Sequence, residues 1–117
     1  MTTSFNILKG EREVRTFDAG QTIFAEGDTA DVMYAVLEGQ VDVVWRGQVL
    51  ETVDSGSIVG ELALIDSGPR SATAVARTPC RLAAIDAKRF TNLVQQAPYF
   101  ALEVMRVMAT RLRRRTT

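Results

Sequence analysis

From residue 33 to residue 85 the hydrophobic positions come in short runs broken by glycine, whereas from Phe90 onward they recur every three or four residues. The two regimes predict two kinds of structure, strands first and helices last. Met33–Leu37, Val41–Trp45 and Gln48–Val53 read as consecutive strands rich in β-branched residues, with turns at 38–40 and 46–48. Val41, Val43 and Trp45 fall on one strand face and Asp42, Val44 and Arg46 on the other. That pattern suits a half-buried antiparallel strand and makes Trp45 a core or rim residue rather than a binding platform. Two further strands, Thr73–Arg77 and Arg81–Ile85, are parted by a turn at 78–80, where Cys80 serves as a small hydrophobe. All eight glycines lie at or before Gly68, and from Gly20 they recur at steps of mostly 7 to 12 residues. Strands joined by tight turns produce that spacing, so the first two-thirds of the chain is expected to be all β.

Asp86 is placed to cap a helix that runs through Phe90, Leu93 and Val94 to Ala97, where Pro98 stops it. Proline is accepted in a first turn, so a second helix restarts at once and spans about 99–115. Phe100, Val104 and Val107, together with Ala101, Met105, Met108 and Leu112, form one broad apolar face on it. The face is expected to cover either the β part or a second copy of the chain. Arg111 continues the stripe begun by Phe100. An arginine in that phase either snorkels to water or reaches over the core for something anionic or aromatic.

The chain has 117 residues, enough for one domain with one core, spanning 1–117. Its 46% apolar and 24% charged content is that of an ordinary globular protein. The absence of histidine removes Ser-His-Asp, Cys-His and HExxH chemistry, and one cysteine builds neither an intrachain disulfide nor a zinc site. An enzyme is therefore not expected, nor a metal or cofactor. No apolar run reaches the roughly 20 residues of a membrane span, and the first residues lack a secretion signal, so the expected location is the cytoplasm. Basic and acidic residues balance at 14 each. The balance is a cancellation: residues 1–69 carry 4 basic and 12 acidic side chains, residues 70–117 carry 10 and 2.

Gly60-Glu61-Leu62-Ala63-Leu64-Ile65-Asp66-Ser67-Gly68-Pro69-Arg70-Ser71-Ala72-Thr73 holds the candidate chemistry. Gly60 permits close backbone approach, and residues 61–64 suit a single helical turn whose first N–H groups point outward toward an anion. Arg70 brings a planar fork that can clamp two phosphate oxygens, with the hydroxyls of Ser71 and Thr73 nearby, and Glu61 can accept from a sugar hydroxyl. The same two charged residues can equally form a Glu61–Arg70 salt bridge tying two turns together, and spacing alone leaves both open.

Gly-Glu-Leu-Ala-Leu followed by Pro-Arg-Ser-Ala-Thr resembles the phosphate-binding cassette of cyclic nucleotide-binding domains. These occur in catabolite-activator transcription factors, kinase regulatory subunits and cyclic-nucleotide-gated channels. Phe17–Phe24, Glu26-Gly27-Asp28 and Met33–Val41 also look like the opening strands of that family, so the resemblance covers about residues 14–112. It implies a mainly β fold with C-terminal helices, a double-stranded β-helix or jelly-roll-like β-roll of about eight strands over about 14–86, then helices over about 87–97 and 99–115.

The ligand it implies is cAMP or cGMP. The N–H groups around Gly60, Leu62 and Ala63 would meet the cyclic phosphate, Arg70 would neutralise it, Ser71 would donate to it or to the base, and Glu61 would hold the ribose 2′-OH. Arg111 matches an arginine with which bacterial channel relatives close the pocket, which implies a lid role for the last helix. The chain departs from these relatives in two places. The helices that precede the first strand are reduced to at most 5–9, and no helix-turn-helix follows Arg115, so direct DNA reading is not expected. The expected partners are a cyclic nucleotide, an effector protein of unknown identity and a second copy through the C-terminal helix. An alternative is an interaction module that keeps the fold without using nucleotide. Arg113, Arg114 and Arg115 are read as cations favoured by a helix C-terminus. Ser71 is compatible with either nucleotide, since its hydroxyl reaches the phosphate or the exocyclic amine of a syn guanine.

Overall fold

A computed structural model describes Leu8, residues 10–66 and residues 68–116, the side chains of 115 and 116 excepted. Among the described residues, eight strands and three helices follow in the order β1 (Val14–Phe17), β2 (Thr22–Phe24), β3 (Val32–Glu38), β4 (Gln40–Trp45), β5 (Gln48–Asp54), β6 (Ile58–Val59), α1 (Leu62–Ile65), β7 (Thr73–Ala76), β8 (Cys80–Asp86), α2 (Ala87–Gln96) and α3 (Pro98–Thr116). The expected helix at 5–9 lies outside the described residues, apart from buried Leu8.

The strands form two four-stranded antiparallel sheets, one in the order β1-β8-β3-β6 and the other β2-β7-β4-β5. β3 is buried on both faces, which is why Met33–Leu37 reads as a continuous apolar run rather than an alternation. Val32, Tyr34 and Val36 turn toward the second sheet and pack with Val41, Val53, Ala74, Ala76 and Leu82. Met33 and Ala35 turn the other way, onto Leu93, Phe100 and Val104 of the helices. Trp45 lies at the rim, 38% exposed, with the Arg46 guanidinium 4.4 Å from its ring centre. Cys80 opens β8 as a buried side chain, as a small hydrophobe should.

Asp86 caps α2 by accepting from the Arg89 N–H at 2.8 Å. Ala97, held extended ahead of Pro98, separates α2 from α3, and the Phe90 and Phe100 rings meet at 5.4 Å across the corner. The buried face of α3 is narrower than the sequence suggests. Phe100 and Val104 are fully buried and Val107 and Met108 partly so, whereas Met105 and Leu112 are 55% and 64% exposed. At about 100° per residue, 100, 104, 107, 108 and 111 share one stripe, and 105 and 112 lie well to its side. Arg111 therefore stands near the centre of the packed stripe and not on its margin.

Candidate functional site

β6 ends at Val59, and Gly60 turns the chain with φ +77°, a conformation that L side chains rarely adopt. A Cβ here would lie 2.6 Å from Arg70 Nη1 and 3.3 Å from Phe24 Cε2, so both the turn and its neighbours require glycine. α1 follows as one turn. Ala63 N–H donates to Gly60 O at 3.3 Å and Leu64 N–H to Glu61 O at 3.1 Å, and the N–H groups that open the turn have no acceptor within it.

Arg70 is held by its backbone. Its N–H donates to Asp28 O at 2.9 Å and its carbonyl accepts from Gly27 N–H at 2.8 Å, which fixes it against the turn that Asp28 closes by accepting from Ala25 N–H. The side chain, in a residue only 7% exposed, donates through Nη2 to Val32 O at 2.7 Å and through Nη1 to Gly60 O at 3.2 Å. Its guanidinium lies 4.0 Å from the Phe24 ring centre, and Phe24 in turn stacks on Tyr34. Nε is buried and has no hydrogen-bond partner among the described residues. Burial lowers the Arg70 pKa from its ordinary value, while Tyr34, Asp31 and Asp28 oppose the shift.

Glu61 does not pair with Arg70. Its carboxylate, 6% exposed, accepts from Arg111 Nη1 at 2.6 Å. Arg111 also donates Nε and Nη2 to Glu51 at 2.9 and 3.3 Å, and Nη2 to Ile58 O at 2.6 Å. Burial alone would lower the Arg111 pKa, but the charges and hydrogen bonds of Glu61 and Glu51 outweigh it and the net shift is upward. Of the two roles open to Arg111 from its phase, the structure shows it reaching over the core to anions.

Gly60, Glu61, Leu62, Ala63, Arg70, Ser71 and Arg111 all line one cavity of about 370 Å³, walled elsewhere mainly by apolar side chains such as Phe24, Val43, Leu50 and Val59. Thr73 does not line it: its hydroxyl accepts from Glu26 N–H at 3.0 Å and ties β7 to the β2–β3 connection. Several other residues line the cavity without a signal in the motif, and three of them bear on its chemistry. Phe24 stands under Arg70, Glu51 faces the cavity from β5, and Arg114 approaches Glu51 at 3.5 Å. A signal for Glu51 exists, since it lies two residues before core Val53 and so shares its face. Leu50 joins it because β5 bulges there: Val43 pairs with Glu51 and Val44 with Val49, leaving Leu50 as the extra residue. The described residues hold no group of three or more His, Cys, Asp or Glu side chains arranged for a metal ion. No helix among them is long and apolar enough to cross a membrane.

The sequence profile of the cyclic nucleotide-binding domain matches residues 14–97. A CRP-like cAMP-activated global transcriptional regulator of Mycobacterium tuberculosis is 31% identical over 103 residues, 84% of this chain and 46% of that protein. The cAMP-dependent protein kinase regulatory subunit of Eremothecium gossypii is 39% identical over 82 residues, 70% of this chain and 18% of that one. The chain thus spans less than half the length of these relatives. Among solved structures, the catabolite activator protein of Thermus thermophilus superposes with a TM-score of 0.80 at 30% identity, over 92% of this chain and 53% of the other. A protein described with a cyclic-GMP-dependent signalling pathway that regulates bacterial phytopathogenesis also gives 0.80, at 28% identity, over 96% and 94%.

Proposed function

Because the chain belongs to the cyclic nucleotide-binding domain family, as its match over residues 14–97 shows, we propose that it binds cAMP or cGMP in this cavity and works as a regulatory module with α3 as the lid. The reading is one of binding, not catalysis. The observation that carries it is the buried Arg70 guanidinium on the cavity wall. Carbonyls hold two of its nitrogens, and its Nε has no partner among the described residues. A cyclic phosphate is the anion that such a fork, next to the opening N–H groups of α1, is suited to neutralise.

In this reading the N–H groups around Gly60, Leu62 and Ala63 meet the phosphate, that of Ala63 giving up its long 3.3 Å bond to Gly60 O, while Ser71 donates to the phosphate or to the base and Glu61 accepts from the ribose 2′-OH. Arg111 couples the ligand to α3, because it already touches Glu61. A nucleotide shifts the helix only by its difference in affinity for the two helix positions, so the signal passed to an effector protein is the placement of α3. Tyr99, Leu102, Met105 and Leu112 are exposed on that helix and offer a surface for an effector or for a second copy.

Calorimetric titration of the wild type and Arg70→Ala with cAMP and cGMP tests the reading. Removing one member of a desolvated charge pair costs on the order of 2–5 kcal/mol, roughly 30- to several-thousand-fold in affinity, so Arg70→Ala is expected to show no binding at micromolar nucleotide. The variant keeps its fold but loses about 2 kcal/mol of stability, since the carbonyls of Val32 and Gly60 lose a donor. Unchanged affinity overturns the assignment. A second reading draws on the same bonds: Arg70 and Glu61 both have partners within the chain, as they would in an interaction module that uses them structurally. A wild type that binds neither nucleotide favours that reading.

A further inference from the structure

α3 carries two apolar stripes. The first, through Phe100, Val104 and Val107, packs on the β-roll. The second is Leu102, Met105, Ala109 and Leu112, all of them exposed. At 100° per residue its centre lies about 140° around the helix from the first. Its spacing of three, four and three residues is that of the a and d positions of a heptad. A stripe of that width is a coiled-coil seam, narrower than the face with which a helix covers a sheet or lies in a lipid interface.

The residues beside the seam bear on what covers it. Arg106 and Arg113 occupy its two e positions, and Ala101 and Met108 its g positions. α3 holds five arginines and one acidic residue, Glu103. Arg111 and Arg114 turn to Glu51 on the roll, whereas Arg106 and Arg113 are exposed along one edge of the seam. Arg106 donates to Glu103 on the same helix at 2.6 Å, a surface contact that occupies one of its several donors. A second copy of the chain suits this seam poorly. Parallel pairing sets Ala109 against Ala109, an underfilled layer, and brings no acid to an e or g position. Antiparallel pairing, with Leu102 on Leu112, brings Arg106 up to the Arg106 of the other copy.

We propose that this seam docks an acidic amphipathic helix of a partner protein, with large aliphatic residues at its own a and d positions and carboxylates along the edge that meets Arg106 and Arg113. The large residues fill the step left by Ala109, and the carboxylates set register and partner choice. Because α3 is already folded on the roll, only the partner helix loses conformational freedom on docking. Such a helix is the effector of the reading above, on which its identification rests. The test runs without nucleotide, so its failure leaves nucleotide binding untouched.

The probe is a fluorescein-labelled peptide of three heptads with leucine at a and d and glutamate at e and g, set against the same peptide with lysine at e and g. Anisotropy titration with the full chain is expected to give a Kd about fivefold to thirtyfold lower for the glutamate peptide. That preference should shrink as salt rises from about 0.05 to 0.5 M. Met105→Lys and Leu112→Lys together should weaken binding at least about tenfold and leave the urea midpoint unchanged, since both side chains are exposed. Arg106→Glu with Arg113→Glu should turn the preference toward the lysine peptide, an outcome that stands even if the lysine variant fails to fold. Equal affinity for the two peptides, or none for either, overturns the proposal. A dimer in light scattering that Met105→Lys and Leu112→Lys dissolve overturns it too, by giving the seam to a second copy. So does cosedimentation with phosphatidylglycerol–phosphatidylcholine vesicles that the same substitutions abolish, by giving it to a lipid surface.

Discussion

Arg111 Nη1 donates to Glu61 Oε1 across 2.6 Å, joining α3 to a residue 50 positions earlier in the chain. Glu61 is nearly buried, so truncating Arg111 leaves a carboxylate without its ion-pair partner in a place where water enters poorly. Arg111 and Glu61 are thus expected to be energetically coupled. In a double-mutant cycle of Arg111→Ala and Glu61→Ala, read by urea unfolding, the interaction should come out at about 1–3 kcal/mol. Additive losses would mean that the contact contributes nothing to holding α3 down.

The same contact ranks two arginines in binding. Arg70 is assigned to the phosphate and Arg111 to the lid, so Arg111→Ala should weaken nucleotide binding less than Arg70→Ala does. Side-by-side calorimetry measures the order, and equal losses count against α3 as a lid.

Gly60 has no side chain to contribute, yet it sets the position of Arg70. Gly60→Ala must adopt φ +77° and place a Cβ 2.6 Å from Arg70 Nη1. A strained backbone of this kind costs on the order of 1–3 kcal/mol. The urea midpoint should fall accordingly, and nucleotide affinity should fall with it because the guanidinium has to move. Wild-type affinity in this variant would show that Arg70 does not need its present position.

Phe24 supports Arg70 from beneath, with the guanidinium 4.0 Å from the ring centre. Phe24→Leu keeps an apolar side chain and removes the ring. The cation–π contribution lost is about 1–2 kcal/mol for a desolvated pair, to be seen as a lower unfolding free energy. A loss below about 0.3 kcal/mol would mean that packing alone holds the arginine.

The elements were legible because local signals and tertiary demands agree. Asp86 caps α2, Pro98 divides α2 from α3, and the glycine spacing marks the strand turns. The cassette was legible as a motif, and Gly60, Glu61, Arg70 and Ser71 do line one cavity. What could not be read was pairing. Glu61 and Arg70 lie nine positions apart and suggest a bridge, but the partner of Glu61 arrives from α3, and Glu51 meets the same arginine across 60 residues. Phase along one element shows which face a side chain takes, not which distant side chain waits there. Thr73 has the spacing of a cassette hydroxyl, but its strand pairing turns it onto Glu26. The extent of the α3 face was overestimated because Met105 and Leu112 are apolar but lie to the side of the stripe that the β-roll covers.

The opposite charges of the two parts of the chain leave a trace in its ion pairs. Glu11 meets Arg89, Glu51 and Glu61 meet Arg111, Asp42 meets Arg77 and Glu38 meets Arg81, each joining an acidic residue before position 70 to a basic one after it. The balanced total of 14 and 14 therefore conceals a molecule with a field, and Arg70 is the first residue of the basic part. An anionic ligand approaching the cavity meets Arg70, Arg111 and Arg114 on its wall together with Glu51, Glu61 and Asp66; Arg111 and Arg114 are paired with these glutamates, whereas Arg70 forms no ion pair among the described residues and supplies the short-range attraction. Charges separated by more than a Debye length, about 10 Å at 0.1 M salt, are largely screened, and those closer are screened less. Raising the salt from about 0.05 to 0.5 M should therefore slow nucleotide association by about twofold to tenfold, with a smaller effect on dissociation. Stopped-flow binding of a fluorescent cyclic nucleotide separates the two rates. An association rate indifferent to salt would show that the charge asymmetry serves to dock α3 on the β-roll and does not steer the ligand.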